Sequence, residues 1–377
     1  MITMRRFVLL SLLHASLVAV PIERIWLSHA TNDPSKLMVN WETATASDSI
    51  VEFGLDASCS TRVANDERVT LHHVEIPLAA KDSTYHYRVR SGDDVSSVAT
   101  FKAYPTQELR VAVVGDWGYS KSEDLSALVK DDPHLLLTVG DNVSSLHEKG
   151  REGTKAFSAL IDRQPALFRS VPFMPILGNH DREITPRGPK PPEHAVYDVE
   201  ATAYREFFAL PDDEWKWRFD LPDFGLRFLA LDASHTKDQG TTWQTNHPIH
   251  GGSEQWQWYA REVAKTDRPF VITLNNEQNS LMRGYEKGVW LPLFRQSSAV
   301  ITGYGYFAER ADVDGQPFFN TCLKGDGDPY KDPKSKFFAR EHNYLLLTFK
   351  AGADTMVAQF KNLQGAVLDT HLVKRRN

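Results

Sequence analysis

Cysteine is scarce in this sequence. Only Cys59 and Cys322 occur among 377 residues, and they lie far apart in the chain. So low a count excludes a small fold held together by disulfides. We expect two free or buried thiols, although an exported chain could pair them if the fold brought both sulfurs within bonding reach.

Strong net charge and long hydrophobic runs are also missing. The formal net charge is −6, and no long basic run points to nucleic acid as a partner. The one apolar run of note follows two arginines near the N-terminus and ends at Pro21. It is too short for an ordinary membrane-spanning helix and is typical of a secretory signal peptide; a buried N-terminal helix is the alternative. We therefore expect residues 1–20 to be a signal peptide, no membrane span to remain after its removal, and the protein to be secreted or periplasmic.

The next part of the chain, residues 21–104, has the pattern of an all-β domain. Short segments with alternating apolar residues are separated by turn residues, which is typical of a small β-sandwich. The predicted strands are Lys36–Thr43, Ser49–Leu55, Val69–Leu78, Ser83–Asp93 and Ser96–Pro105.

A different pattern of predicted secondary structure begins at residue 109 and continues to residue 377. Apolar runs typical of buried strands alternate with helical patterns, of which Ser253–Thr266 is the clearest amphipathic helix. Strands that alternate with helices predict an α/β domain whose sheet is at least partly parallel. The sequence thus predicts two domains after the leader, joined near Pro105.

Three apolar runs of the second domain end in glycine followed by a polar residue: Gly-Asp116, Gly-Asp141 and Gly-Asn179, with His180 next. Ligands of α/β sheets bind at the carboxyl ends of strands, and glycine allows the backbone to turn sharply there. Two carboxylates and an amide oxygen that converge could hold a divalent cation. Alternatively, each aspartate caps the helix that follows it. Three such ends in one domain favour a site.

These motifs resemble those of a known family. "GDWGY", "TVGDN", "LGNHD" and "YGYFAER" occur in the order of the calcineurin-like metallophosphoesterases, most closely their purple acid phosphatase branch. The resemblance covers nearly the whole chain. It implies a four-layer α/β sandwich of mixed sheets flanked by helices over residues 109–377, and a fibronectin-III-like all-β sandwich over residues 21–104.

The resemblance also implies a function and site roles. The family hydrolyses phosphoesters at a centre of divalent metal ions such as iron, zinc, manganese or magnesium. By this resemblance Asp116 is a ligand of the first metal, Asp141 bridges both ions and Asn179 binds the second. His180 is the catalytic residue that contacts the phosphate or the leaving group, and Arg182 is a possible phosphate contact.

The remaining ligand positions of the family hold other residues here. Ser144 stands where purple acid phosphatases have a metal-binding tyrosine. Asn275, or its neighbour Asn276, stands at the end of a strand where the family has a histidine. Tyr304 and Tyr306 replace the two histidines of the Gly-His-x-His motif. The oxygen donors that remain suit Mg²⁺, Ca²⁺ or Mn²⁺ better than Zn²⁺ or Fe²⁺.

Other residues could complete a metal site. One hypothesis uses histidines of nearby loops, namely His147, His235, His247 and His250. Another uses a phenolate of Tyr304 or Tyr306 to bind Fe³⁺. The simplest interpretation is that the phenols pack into the vacated cavity and hydrogen-bond to the residues that remain.

Three functions follow from these observations. The chain is an exported pseudo-phosphatase with weak or no activity, a working acid phosphatase with substituted metal ligands, or an exported binding or adhesion module in which the first domain acts. The sequence favours the first interpretation, with a phosphoester or a phosphate-like small molecule as the ligand.

Overall fold

The computed structural model describes residues 21–121, 124–146, 153–185, 191–327 and 330–376. The predicted signal peptide, residues 1–20, lies outside this part of the chain. None of the described helices is long and apolar enough to cross a bilayer.

The described residues form three sheets. The strands, in chain order, are β1 Ile22–Ser28, β2 Lys36–Gly54, β3 Thr61–Pro77, β4 Thr84–Ser91, β5 Asp94–Val95, β6 Ala99–Lys102, β7 Glu108–Val114, β8 Leu135–Thr138, β9 Phe173–Met174, β10 Trp217–Leu221, β11 Leu226–Ala230, β12 Phe270–Asn275, β13 Ala299–Thr302, β14 Ala308–Val313, β15 Gln316–Asn320, β16 Ser335–Ala339, β17 Asn343–Lys350, β18 Thr355–Asn362 and β19 Val367–Lys374.

The helices all follow the first sheet in the chain. They are α1 Ser126–Lys130, α2 Thr154–Arg163, α3 Pro165–Phe168, α4 Thr202–Phe208, α5 Glu254–Lys265, α6 Asn279–Gly284 and α7 Leu291–Phe294. The amphipathic helix predicted between Ser253 and Thr266 is confirmed. This helix, α5, begins after Ser253, whose hydroxyl accepts a hydrogen bond from the Trp256 amide at 3.3 Å as an N-terminal cap.

The first sheet contains β1 to β6 and has a core of its own, which includes Trp41 and Tyr87. Two strands predicted as separate, Lys36–Thr43 and Ser49–Leu55, are one continuous strand, β2. The segment between them has neither glycine nor proline, so the chain stays extended and only its pairing register shifts. Trp26 of β1 stacks on Phe207 with ring centroids 4.3 Å apart, which fixes this sheet against the rest of the chain.

The other two sheets are mixed and share one core. Their strand orders are β19-β18-β17-β7-β8-β9 and β10-β11-β12-β13-β15-β14-β16. Strand β12 shows the layering, because Ile272 and Leu274 lie in the core between the sheets whereas Val271 lies under the helices, with Tyr259 of α5 and Trp290. Alternate residues of a strand point to opposite faces, so the sheet that contains β12 is covered on both sides of this strand. The described chain is therefore an α/β fold of mixed sheets flanked by helices.

The parallel strands place their carboxyl ends at one edge. Strands β7, β8 and β9 are parallel to each other in one sheet, as are β11, β12 and β13 in the other. At this edge the two sheets come very close: a Cβ atom on Gly115 would lie 2.8 Å from the Gly303 Cα. Side chains that follow these strands are consequently brought together.

Candidate functional site

A cleft of about 220 Å³ opens where these strand ends meet. It is lined by Asp116, Asp141, Asn179, His180, His235, Asn276, Gly303, Tyr304, Gly305, Tyr306 and Tyr330. The structure thus brings together the four residues that the motifs singled out as candidate ligands and catalyst. It also brings the two tyrosines of the substituted motif into the same cleft.

The backbone of the cleft is locally unusual. Four of its lining residues other than glycine have positive φ angles between 47° and 64°: Asp116, Asp141, His235 and Tyr306. This region is costly for residues with a Cβ and is occupied where surrounding contacts enforce it. Such outliers cluster at functional sites, so the cleft is the best candidate site of the described chain.

Two carboxylates form the floor of the cleft, and we call Asp116 and Asp141 the carboxylate floor. Their side chains are almost fully buried, with residue exposures of 2% and 6%. Burial and the facing Asp141 charge raise the pKa of Asp116 well above its usual range, although the Cys322 thiol, which donates to Oδ2 at 2.7 Å, lowers it. No ion pair to either carboxylate occurs among the residues that the structure describes. Without a bound cation, Asp116 therefore favours its protonated form.

The motif residues beside the floor hold the loops in place. Asp181 is fully buried and accepts the Gly178 amide at 2.7 Å and the Asn142 side-chain amide at 2.9 Å. Gly178 cannot be replaced, because a Cβ atom there would lie 2.1 Å from the Asp141 Oδ1. Asn142 and Asp181 thus have structural roles: they position the ends of β8 and β9 against each other.

His180 sits between the floor and a tyrosine that the motifs did not single out. Its backbone N–H donates to Asp141 Oδ1 at 3.1 Å. The Tyr119 hydroxyl lies 2.7 Å from Nε2 and 2.9 Å from Nδ1 of its ring. Burial and the Asp141 charge raise the pKa of Tyr119, so the partner of the imidazole is a neutral phenol. Tyr119 follows Asp116 by three residues in a 3₁₀ turn. That spacing in the sequence could have identified it as a residue of the site.

Tyr304 and Tyr306 stand on one wall of the cleft, directly after β13. Burial and the Glu277 charge raise the pKa of Tyr304 to about 12, and burial and the Asp116 charge raise that of Tyr306. Both are therefore neutral phenols near pH 7 when no metal is bound. Tyr306 packs against Tyr119, with ring centroids 5.4 Å apart.

Of the two asparagines that follow the core strand, Asn276 and not Asn275 lines the cleft. Asn275 ends β12 with its side chain buried, and its Oδ1 accepts the Glu277 amide at 3.0 Å. Asn276 donates from Nδ2 to the carbonyls of Val139 at 2.7 Å and Gly303 at 2.6 Å. Of the two alternatives that the sequence left open, the structure places Asn276 in the cleft, because successive residues of an extended chain point to opposite faces.

Arg182, the possible phosphate contact, does not line the cleft. Its side chain is fully buried and its guanidinium bonds to Asp232 and, at 3.1 Å, to the Gly178 carbonyl. His247 donates to the same Asp232 carboxylate from Nδ1 at 2.8 Å. An internal ion pair therefore uses the charge of Arg182. Ser144, by contrast, is exposed and does not line the cleft.

One loop histidine reaches the cleft. His235 lines it, with Nδ1 3.3 Å from the Asp238 carboxylate. His247 is stacked on Trp215, with centroids 3.7 Å apart, and is held by the internal ion pair. His250 is exposed on the surface. His147 lies outside the described residues. The histidine-rich loop thus supplies one imidazole where two or more were considered.

Comparison with known proteins places the fold in a family. A family model of the calcineurin-like phosphoesterases matches residues 109–310. The chain belongs to the calcineurin-like phosphoesterases. Purple acid phosphatase 15 of Arabidopsis thaliana is 25% identical over 231 residues, which are 52% of this chain and 39% of that protein. An uncharacterized protein of Mycobacterium tuberculosis is 23% identical over 347 residues, 78% of this chain and 63% of its own length. The chain spans less than two thirds of either relative.

Solved structures agree on the fold of this calcineurin-like phosphoesterase. The purple acid phosphatase PPD1 of yellow lupin (Lupinus luteus) seeds superposes with a TM-score of 0.71 at 15% identity, covering 93% of this chain and 74% of that one. PhoD superposes with a TM-score of 0.66 at 13% identity, covering 93% and 88%. At such identities the likeness concerns the fold alone.

The side chains of the cleft do not fit the two metal ions on which this family typically depends. Within the described residues, no group of three histidine, cysteine or acidic side chains is arranged to hold a metal ion. Asn276 uses its amide nitrogen for two carbonyls and can offer a metal only its amide oxygen, and both phenols are neutral. The cleft thus combines the carboxylate floor with phenols and amides and with two histidines, His180 and His235, a donor set poor in imidazole for a dinuclear zinc or iron centre.

Proposed function

We propose that this calcineurin-like phosphoesterase is a pseudo-phosphatase, which keeps the fold and the cleft but hydrolyses phosphoesters weakly or not at all. The observation that carries the proposal is the content of the cleft. Tyr304, Tyr306 and Asn276 occupy the positions after β13 and β12 where the resemblance places histidine ligands.

Electrostatics supports the same conclusion. Hydrolysis in this family relies on metal ions that make a bound water acidic and neutralise the phosphate. Without such ions, a phosphate in the cleft would face the carboxylate floor at close range in a partly buried site, where like charges repel most strongly. Loss of even one residue that merely orients a metal ligand costs ~10–100-fold in affinity or activity, and here ligands themselves are replaced.

One observation favours a second candidate, a working phosphoesterase with substituted ligands. His235 reaches the same cleft as Asp116, Asp141 and Asn179. One imidazole with several oxygen donors could bind Mn²⁺ or Mg²⁺ weakly. This candidate predicts turnover that appears only at high metal concentration.

A metal and activity assay separates the two candidates. The purified chain is analysed for bound metal and assayed on a generic phosphomonoester across pH, with Zn²⁺, Mn²⁺, Fe²⁺ or Mg²⁺ added. We expect no bound metal and no metal-dependent turnover. Turnover that Asp141→Ala abolishes, and that the exposed control Asp66→Ala on β3 leaves intact, would overturn the pseudo-phosphatase proposal.

A converse experiment restores imidazoles. The double variant Tyr304→His/Tyr306→His is compared with the triple variant that adds Asn276→His, and divalent metal binding is measured by calorimetry. If the lost imidazoles are the limiting defect, both variants bind Zn²⁺ or Mn²⁺ more tightly than the natural chain. Unchanged metal binding in properly folded variants would mean that these positions do not correspond to the ligand positions of the family.

Export and domain organisation complete the proposal. We propose that residues 1–20 direct secretion or periplasmic export, that residues 21–104 are a fibronectin-III-like domain, and that residues 109–377 are the phosphoesterase domain. The separate core of the first sheet supports the division. Expression with the native leader, followed by mass measurement of the exported product, tests it, because retention of residues 1–20 in an intracellular product contradicts export.

A further inference from the structure

The cleft carries negative charge that its lining residues do not balance, and this favours a bound cation. The carboxylate floor puts two acidic side chains at its base, and the lining contains neither lysine nor arginine. Arg182, two residues after His180 of the lining, is used internally by Asp232. A buried pair of carboxylates is costly unless a positive charge compensates it. If a metal centre is absent, as proposed above, a cation of another kind would compensate the two carboxylates more fully than a proton alone.

The wall of the cleft is aromatic. Tyr304, Tyr306 and Tyr330 line it, and we call these three residues the tyrosine wall. The rings of Tyr304 and Tyr330 have centroids 6.2 Å apart and are inclined at 58°, so neither ring covers the face of the other by flat stacking. Ring faces carry negative potential and attract cations within about 6 Å, above all cations that are weakly hydrated. The wall therefore favours the same sign of charge as the floor.

The chain itself demonstrates this property of the wall. The Lys324 ammonium lies 4.1 Å from the ring centroid of Tyr306, within the range of a cation–π contact. Lys324 does not line the cleft, and its other charged contact, with Asp326, is long at 3.8 Å. An ammonium group thus already occupies one position on this ring, outside the cleft.

We propose that the cleft binds an organic ammonium ion, whose charge the carboxylate floor neutralises and whose alkyl groups the tyrosine wall surrounds. This inference rests on the proposed function, because it takes the cleft to be free of a metal centre. The volume of about 220 Å³ is below the ~300–1,000 Å³ of ordinary ligand pockets, so the ligand is small or only its head group enters. Two sources share this chemistry, quaternary ammonium compounds of the choline type and primary alkylamines.

Calorimetry on the full mature chain tests the proposal with choline and n-butylammonium as probes. Glucose is the neutral control, and sodium chloride holds ionic strength constant. We expect saturable binding of at least one ammonium probe and none of glucose. Quaternary binding depends mainly on the rings, whereas primary amine binding also depends on hydrogen bonds to the floor, so Asp141→Asn should weaken n-butylammonium more than choline. Equal binding of glucose, or no binding of either ammonium probe, overturns the proposal.

Variants of the wall locate the site. Tyr304→Leu and Tyr306→Leu each remove one ring and should weaken choline binding roughly 3- to 30-fold. Tyr285→Leu, in a 3₁₀ turn outside the cleft, is the matched control and should leave binding unchanged. Tyr304→Phe keeps the ring and should retain binding if the cleft variants with leucine fail to fold. Wild-type affinity in both leucine variants of the cleft overturns the proposal.

A variant of Lys324 distinguishes a cleft that binds cations from one that binds anions. Lys324→Met removes a competing positive charge from the Tyr306 ring, so we expect choline binding to tighten a few-fold. If the cleft instead binds anions, Lys324→Met should weaken the binding of inorganic phosphate and leave choline binding unchanged. That result would overturn the proposal.

Failure of this inference and failure of the pseudo-phosphatase proposal look different. Absence of both ammonium and metal binding leaves the pseudo-phosphatase in place and overturns the ammonium site. Metal binding with turnover that depends on Asp141 overturns the pseudo-phosphatase. Ammonium binding that depends on the tyrosine wall supports the ammonium site in either case.

Discussion

Replacing Asn276 with alanine should weaken the junction between the two mixed sheets. The Asn276 amide donates to the Val139 carbonyl at 2.7 Å and to the Gly303 carbonyl at 2.6 Å. Val139 follows β8 of one sheet, and Gly303 follows β13 of the other. One side chain thus holds together the two strand ends that carry Asp141 and Tyr304.

The magnitude follows from the acceptors that lose their donor. A buried polar group left without a partner costs about 1–3 kcal/mol, and Asn276 serves two. Because Asn276 lines the cleft, water can reach part of the space that its side chain vacates. We therefore expect Asn276→Ala to lower the free energy of unfolding by about 2–4 kcal/mol.

The neighbouring asparagine is a matched control. Asn275 is equally buried, but its Nδ2 has no hydrogen-bond partner among the described residues, and its Oδ1 accepts one amide, from Glu277. Asn275→Ala removes an unpaired donor and frees one backbone N–H, and these two effects nearly cancel. We expect a loss of about 0–1.5 kcal/mol, smaller than for Asn276→Ala.

Urea denaturation of both variants, followed by tryptophan fluorescence and circular dichroism, measures the difference. The two signals must report one transition for the free energies to be comparable, because the chain has more than one core. Equal losses in the two variants, or a larger loss for Asn275→Ala, would refute the assignment of Asn276 as the residue that joins the sheets.

Three further predictions concern buried groups. Arg182→Met leaves the Asp232 carboxylate buried without its cation and should cost about 3–5 kcal/mol of stability by thermal denaturation; a loss below about 1 kcal/mol would contradict the internal ion pair. Burial lowers the pKa of His29 to about 4, so the folded state favours the neutral imidazole. The contribution of neutral His29 to the free energy of unfolding is complete above pH 6.5 and should be lost as the pH falls from 6.5 to 4. That loss approaches about 3 kcal/mol, and urea titrations at several pH values should show less of it in His29→Gln. Cys59 and Cys322 are both free and buried, so a thiol reagent should label two groups in urea and almost none in the native protein, whereas rapid native labelling would contradict their burial.

Local pattern was sufficient to predict the centre of the cleft. Asp116, Asp141 and Asn179 each follow a buried strand after a glycine, and parallel strands bring such residues to one edge whatever the rest of the chain does. This placement of residues depends only on strand direction and on the turn, and both can be predicted from short stretches of sequence.

Residues whose partners are remote in sequence could not be predicted in this way. Cys322 donates to Asp116 across 206 positions, and Arg182 pairs with Asp232 across 50. Nothing in the residues around Arg182 shows that an acidic partner arrives from another strand. The sequence left Asn275 and Asn276 as alternatives for a different reason, since the face of a residue reverses with one step along the chain.

The tyrosines and Asn276 of the cleft make contacts of their own. Tyr306 packs against Tyr119 and lies under the Lys324 ammonium, and Asn276 joins two carbonyls across the sheets. Here, restoring a histidine at position 276 also removes a donor that the fold uses, so any gain in metal affinity is offset by a loss of stability. For this reason we expect Tyr304→His/Tyr306→His without the third change to be the better-folded route back to a metal site.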